Sequence, residues 1–448
     1  MRNKILIFLF SVCSVCMFHS CSDNLNIEPA QSISENIALD SDRNVKNVLN
    51  GAYNELRSGA IYGGELLRNG ELLAGDGEIL FVGTFGGPRQ IFNKQMIAEN
   101  EDVRRQWMDS YAAINVVNNV LSAIPIVNEE DRDRVEGEAL FIRGMVYFDL
   151  VRFYAKTYDA GQANTQEGVP LVITPTRGIN EGNLVKRNSV EEVYNQVISD
   201  LTRAATILPE SNGIFPGSGA ANALLARVYL QKGDFPKARD AANTVIESQV
   251  FSLRPNYASV FNGDVAGSED IFAIEFTTQD EGSSATEFWS IPQFGGRDGD
   301  IEILPGHLNL YDANDERFAL FFDGAAAIRS GKWNNLFGVV NLLRLAEMYL
   351  IRAETNQRLG TNVGDTPLAD YNVIHTRAGL TAKEGNITLE DIILERRLEL
   401  AHEGHKIHDH KRLKLNVGSL PYSDSKLVFP IPAREIEANT SLSQNEGY

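Results

Sequence analysis

The chain has 448 residues, 43% of them hydrophobic, with 41 Lys and Arg against 60 Asp and Glu for a net charge of −19. That apolar content over that length is ample for a full core, and a field of this sign repels nucleic acid and anionic lipid, so no nucleic-acid partner is expected. The acid excess is spread along the chain instead of forming a tail, which reads as a solvated surface.

The chain opens with Arg2 and Lys4, an apolar run from Ile5 to Phe18, then His19-Ser20-Cys21, the order of an export signal. The run is too short for a bilayer-spanning helix, which needs roughly 20 residues. Cys13 and Cys16 lie inside it, so removing residues 1–20 leaves Cys21 as the sole thiol and excludes an intrachain disulfide. A lone cysteine behind an export signal, preceded by a small residue, looks like the lipid acceptor of bacterial lipoproteins. Each buried acyl methylene contributes ~0.8 kcal/mol, so two or three chains anchor permanently. The expected division is therefore a signal over 1–20, a flexible lipidated tether over 21–40 and one folded domain over 41–448.

From there the pattern is dominated by helix. Val45, Val48, Leu49, Ala52, Tyr53 and Leu56 share one helix face, and the helix ends by Gly59. Helices are predicted near 101–124, with Trp107 on the apolar side, and over 131–156. Ser189-Val-Glu-Glu192 is a capping box opening a fourth that reaches Leu208. The segment 220–248 has the texture of a tetratricopeptide helix pair turning at Gly233-Asp234, and similar pairs are read near 136–156 and 342–379. Strand-like pieces are few: Val169–Thr174, Ile271–Thr278 and Lys426–Ile431. Residues 60–100 and 279–335 carry no helical period and read as long loops, which in compact domains are usually functional. The fold expected is all-α dominated, a single domain with tetratricopeptide-like pairs, long irregular loops and a few short strands.

Leu343-Arg-Leu-Ala-Glu-Met-Tyr-Leu350, Asn372-Val-Ile-His-Thr-Arg-Ala-Gly-Leu380, Glu395-Arg-Arg-Leu-Glu-Leu-Ala-His-Glu-Gly404, Phe429-Pro-Ile-Pro432 and Gln444-Asn-Glu-Gly-Tyr448 occur in order. With Asn50-Gly-Ala-Tyr53 and the Trp107, Tyr111, Asn118 helix, this set resembles the SusD/RagB family of nutrient-binding outer-membrane lipoproteins over essentially the whole chain. The resemblance implies a cell-surface lid on a SusC-like TonB-dependent transporter, held to the membrane only by its lipid. It also implies capture of an oligosaccharide or polysaccharide, or of peptide in some members. The sequence departs from the family pattern at His402 and through His408-Asp-His-Lys-Arg412, where an aromatic before Glu-Gly and a Phe-Asp-Leu or Trp-Asp-Leu-like run are usual.

No enzyme is expected: there is no Gly-x-Ser-x-Gly elbow and no thiol besides the lipid acceptor, and carboxylate separations of ~5 to ~9.5 Å cannot be read from sequence. His402-Glu-Gly-His405 is one residue short of a zinc-binding His-Glu-x-x-His, so the four histidines at 402, 405, 408 and 410 read as a partly exposed structural group. No metal or other cofactor is expected, although Asp298-Gly-Asp-Ile-Glu302 holds a fragment of a calcium-loop pattern. Glu395, Arg396, Arg397 and Glu399 are spaced to support their own helix and pair with neighbours. Trp107 and Trp333 read as structural.

Sugar recognition needs flat aromatic faces and planar polar groups converging from loops. Two loops offer them: Glu287–Asp300, with Trp289, Phe294, Arg297 and Asp298, and Asp76–Phe92, with Asp76, Phe81, Phe85 and Arg89; family resemblance also places ligand contacts in these regions. Peptide capture, a protein-docking scaffold and a hydrolase are the rival readings.

Overall fold

The computed structural model describes residues 38–178, 182, 184–297, 299–324 and 326–448. The signal, Cys21, the first part of the tether and Asp298 lie outside the described residues. Helix α1, Asp42–Leu56, buries Val45, Leu49, Ala52 and Leu56, the face its spacing predicts. Then come α2, Glu65–Leu73, β1, Ile79–Phe81, and α3, Gly86–Asn93. Helix α4, Glu101–Ser122, is capped by the Asn100 side chain, which accepts from the Val103 amide, and α5 runs over Glu129–Tyr154. Helix α6, Val190–Ile207, opens on the predicted Ser189/Glu192 capping box. Helices α7, Ser218–Lys232, and α8, Phe235–Glu247, are the predicted pair; Gly233 takes φ +78° at the turn and the Asp234 side chain caps α8. A left-handed residue there is the usual glycine helix stop.

The second half contributes β2, Asp270–Ile274, the short helix α9, Ser284–Trp289, β3, Ile301–Ile303, and a single turn α10, Pro305–Leu308. The hairpin β4, Phe321–Gly324, and β5, Ala327–Ser330, precedes β6, Val340–Arg344, and α11, Leu345–Leu359. Helices α12, Pro367–Arg377, α13, Leu389–Glu399, α14, Lys406–Arg412, and α15, Ala433–Ala438, complete the chain. Helices α4 to α8 pack each on the next, and α11 docks against α8, so the helical array is continuous even though its members are dispersed in sequence. The strands form three two-stranded antiparallel pairs, β1 with β3, β2 with β6 and β4 with β5. Among the described residues the main hydrophobic cluster extends from Val45 to Leu442, with smaller clusters beside it.

Several expectations are corrected. Residues 136–156 are not a helix pair but part of α5, whose partner is α6. The single helix expected over 131–156 is α5; every position over Gly137–Tyr154 is buried, so its apolar residues mark no one face and do not exclude the reading as a pair. In the 342–379 pair the first residues are strand β6. Residues 60–100 hold α2 and α3, and α2 escaped notice because all nine of its residues, Glu65, Arg68 and Glu71 included, are buried. Val169–Thr174 forms no strand: side chains of Tyr111, Asn118 and Tyr147 donate to its carbonyls at 2.8 to 2.9 Å in place of a partner strand. Lys426–Ile431 is likewise tied by Gln444, which bonds Ile431 through both its amide and its carbonyl, and by the Tyr448 hydroxyl on the Val428 carbonyl.

A buried charge network clamps the second half. Arg344, at the β6/α11 junction, bonds Glu403 at 2.8 and 2.9 Å, Glu269 at 2.8 Å and Glu399 at 2.9 Å. Arg377 pairs with the same Glu269 and Glu399, Arg317 joins Asp315 to Glu395, and Lys332 bonds Glu403. Glu395, Arg396, Arg397 and Glu399 thus find their partners on other elements and not on their own helix turn. Removing one partner of such a set strands the opposite charges in a dry interior, which costs ~3–5 kcal/mol. Arg344→Met is therefore expected to lower unfolding free energy by that order in a denaturant titration; an unchanged midpoint would show that the network adds no net stability.

Candidate functional site

The two loops chosen from sequence meet because β1 pairs with β3, with Ile79 opposite Ile303 and Phe81 opposite Ile301. Val82 continues the contact, its amide donating to the Asp300 carbonyl at 2.8 Å. Gly83 must lie that close: a Cβ there would stand 2.5 Å from an Asp300 carboxylate oxygen. Helix α9 is seated on the start of α2 by Ser284, whose hydroxyl donates to the Gly59 carbonyl at 3.0 Å, and Gly64, at φ +138°, makes the space.

This docking builds a column of two rings with a guanidinium at each end. Arg68 of α2 is fully buried, paired with Asp102, and lies 4.0 Å from the centre of the Phe288 ring. Phe288 meets Phe85 at 5.9 Å, and Arg297 covers the Phe85 ring at 4.0 Å. Arg297 is held in turn by Asp300 at 3.3 Å. The stack starts in the core and ends at the surface, where Phe85 remains 43% exposed. Each cation–π contact contributes ~0.5–2 kcal/mol depending on desolvation, so the outermost ring is held in place before any ligand arrives. Arg89, exposed, lies 5.8 Å from the buried Phe81 ring and donates to the Gly83 carbonyl.

Of the residues chosen from sequence, Phe81, Phe85, Arg89 and Arg297 are therefore brought together. Phe294 is half-buried against Phe322 of the β4–β5 hairpin at 5.7 Å. Asp76 is turned to another task, accepting the Gly418 amide at 2.8 Å. The expectation for Trp289 as a stacking platform is corrected: α9 turns it fully inward, 0% exposed, against His402 at 4.9 Å, so neither ring face is open to a ligand. Arg68 and Phe288 were missed; Phe288, beside the conspicuous Trp289, carried the only signal. Trp107 and Trp333 are buried, 3% exposed each.

The histidines are less exposed than expected, His402 at 2% and His408 at 3%. Burial holds both far below the usual histidine range and therefore neutral. His402 adopts φ +65° and stacks between Trp289 and His307, with ring centres 4.9 and 4.8 Å away. Among the described residues no three His, Cys, Asp or Glu side chains are grouped to hold a metal ion. No helix of the described residues is long and apolar enough to cross a membrane.

With this geometry in place, comparison with known proteins is direct. The family model described as "Starch-binding associating with outer membrane" matches residues 24–230, and the model of the SusD family matches residues 321–426. The chain is 26% identical to the SusD-like protein P2 of Formosa agariphila, over 96% of this chain and 97% of that protein. It is 34% identical to the starch-binding protein SusD of Bacteroides thetaiotaomicron over a shorter stretch, 24% of this chain and 21% of that one. The crystal structure of a SusD superfamily protein from Bacteroides thetaiotaomicron superposes with a TM-score of 0.81 at 26% identity, covering 90% of this chain and 99% of that one. The chain belongs to the SusD/RagB family.

The joint that seats α2 is sensitive to pH. Glu71, 3% exposed, accepts the Gly404 amide at 2.8 Å, and Lys406 lies nearby. Burial outweighs these and the repulsion of Glu78 adds to it, so its carboxyl is pushed from an ordinary 4.5 up to about 7. The folded protein therefore holds this proton more tightly than the unfolded chain, and the stability Glu71 contributes is full below about pH 4.5 and falls as the pH rises to about 7. At 1.36 kcal/mol per pH unit the loss is on the order of 3 kcal/mol. Glu71→Gln, which keeps a carbonyl oxygen for the Gly404 amide, is expected to flatten the decline in melting temperature between these limits; a parental slope would assign that decline to other groups.

Proposed function

We propose that this protein is a surface-anchored glycan-binding protein that captures an oligosaccharide or polysaccharide on the Phe85 face and passes it, uncleaved, to a TonB-dependent outer-membrane transporter. The observation that carries the reading is the exposed Phe85 ring fixed between Phe288 and Arg297. The exposed part of the Phe85 ring suits the C–H side of a pyranose, and the nearby guanidinium groups of Arg89 and Arg297 suit its hydroxyls. Covering about 50 Å² of sugar face at ~25 cal/mol/Å² gives on the order of 1 kcal/mol. Association costs offset part of that, so a chain of several sugars must contribute and affinity is modest. Relatives support the substrate class: the matching family model is described as starch-binding, and one relative is named a starch-binding protein. Attachment through Cys21 supports the delivery step, since a receptor that hands cargo to a barrel must stay beside it while moving.

Calorimetric titration against a panel of polysaccharides, oligosaccharides and mixed peptides tests the reading. One glycan class is expected to bind, and Phe85→Ala is expected to weaken it by about tenfold, ~1.4 kcal/mol, with the fold retained and the melting temperature lowered only by the loss of the contacts to Phe288 and Arg297. Binding of peptides alone would replace glycan with peptide as cargo, and glycan binding untouched by Phe85→Ala would move the site elsewhere. In cells of the native host, Cys21→Ala is expected to shift the protein from the membrane to the soluble fraction; retention in the membrane would refute lipid anchoring at that residue.

A further inference from the structure

A second concavity lies between α13 and α14, at the start of β1 beside Glu78 and Ile79, and shares no lining residue with the Phe85 face. Its volume is about 80 Å³, room for several water molecules or for the buried part of a small organic molecule that extends to the surface. One wall is apolar, formed by Ile393, Leu400, Leu413 and Leu415, and Leu415 is 45% exposed where the cavity reaches the surface.

The other wall is ionic and unbalanced. Arg397 and Lys406 both bond a single oxygen of Glu78, Lys406 at 2.6 Å, while the other oxygen takes the His307 ring at 3.0 Å. Two cations thus share one carboxylate. The remaining carboxylates in the lining do not restore the balance: Asp409 is committed to Arg396 and Arg412, at 2.9 and 2.6 Å, and Glu71 is committed to the Gly404 amide, partly protonated at neutral pH. His402, His405 and His410 also line the cavity, and burial keeps each below the ordinary histidine range, so they add no charge at neutral pH. Arg397 keeps 37% of its side chain exposed and has its Nε without a partner, and Arg396, 3% exposed, has its Nη1 without one. An apolar slot with a few convergent polar groups is the ordinary form of a small-molecule site, and guanidinium groups suit carboxylates by shape as well as charge.

We propose that this cavity binds a small carboxylate with an apolar body, its carboxylate on Arg397 and Lys406 and its hydrocarbon against Ile393, Leu413 and Leu415. Of the lining, His402, Asp409 and His410 are positions where the chain departs from the family pattern, whereas Arg397 lies within the shared Glu395–Gly404 motif; the site shares no residue with the Phe85 face and is independent of glycan capture.

Titration of the purified protein with hexanoate and benzoate, and with hexanol and benzyl alcohol as uncharged counterparts, tests it. The acids are expected to bind at least about tenfold more tightly than the alcohols. Arg397→Gln is expected to abolish that preference, and Leu415→Glu, a change at an exposed position that leaves the fold intact, is expected to abolish binding of both. Equal affinity for acid and alcohol, binding that survives both substitutions, or no binding of either acid would each overturn the proposal.

Discussion

The structure depends on charges that have been taken out of water and must therefore find one another. Arg344, Arg377, Arg317 and Lys332 are all 5% exposed or less in their side chains, and the carboxylates that meet them are equally dry. Lys332 illustrates the tension: burial pulls it down to about 8 even though Glu403 stands 2.7 Å away. Attraction in a low-dielectric interior repays such desolvation only when geometry is good and the remaining hydrogen-bond positions are filled. The network meets that condition by drawing partners from β2, the β6/α11 junction, α12, α13 and the turn at 402–404, and so it fixes the relative placement of elements that are remote in sequence.

That placement reaches the surface through α2. The turn carrying Glu403 also presents Gly404, whose carbonyl lies so near α2 that a Cβ at Gly70 would stand 2.6 Å from it. Helix α2 is thereby held against the network on one side and, on the other, supports Arg68, Phe288 and Phe85 in succession. The candidate glycan face is thus the outer end of a rigid column. Ordering costs that a mobile loop would incur on binding are met during folding, and this is the general value of preorganisation.

The two ends of β1 face different chemistries. Phe81 and Gly83 look toward the sugar-sized face, while Glu78 and Ile79 look toward the cavity beside α13 and α14. Between the two lies the ring stack of Trp289, His402 and His307, with ring centres 4.9 and 4.8 Å apart. A histidine at 402 suits this position because its ring fills an aromatic slot while its Nδ1 bonds the Ser330 hydroxyl at 3.1 Å.

Much of this was open to a reader of the sequence, for definite reasons. Where one helix face meets water and the other the core, as in α1 and α6, apolar spacing and the capping box at Ser189 mark the helix unaided, and the glycine at 233 marks the turn of α7 and α8. The two site loops were legible because aromatic and arginine residues crowd segments without periodicity. What the sequence could not reveal is what burial on all sides conceals. Helix α2 lacks a polar face, so its period vanishes, and nothing in Glu395-Arg-Arg-Leu-Glu399 tells that its charges will be answered by Arg317, Arg344 and Glu78 instead of by each other. Which aromatic would face outward was likewise decided by tertiary contacts. The sequence by itself determined that a helical member of this family carries rings in two loops; only the docking of α9 on α2 decided that Trp289 turns inward and Phe85 outward, because that choice depends on which side of a short helix the rest of the molecule covers.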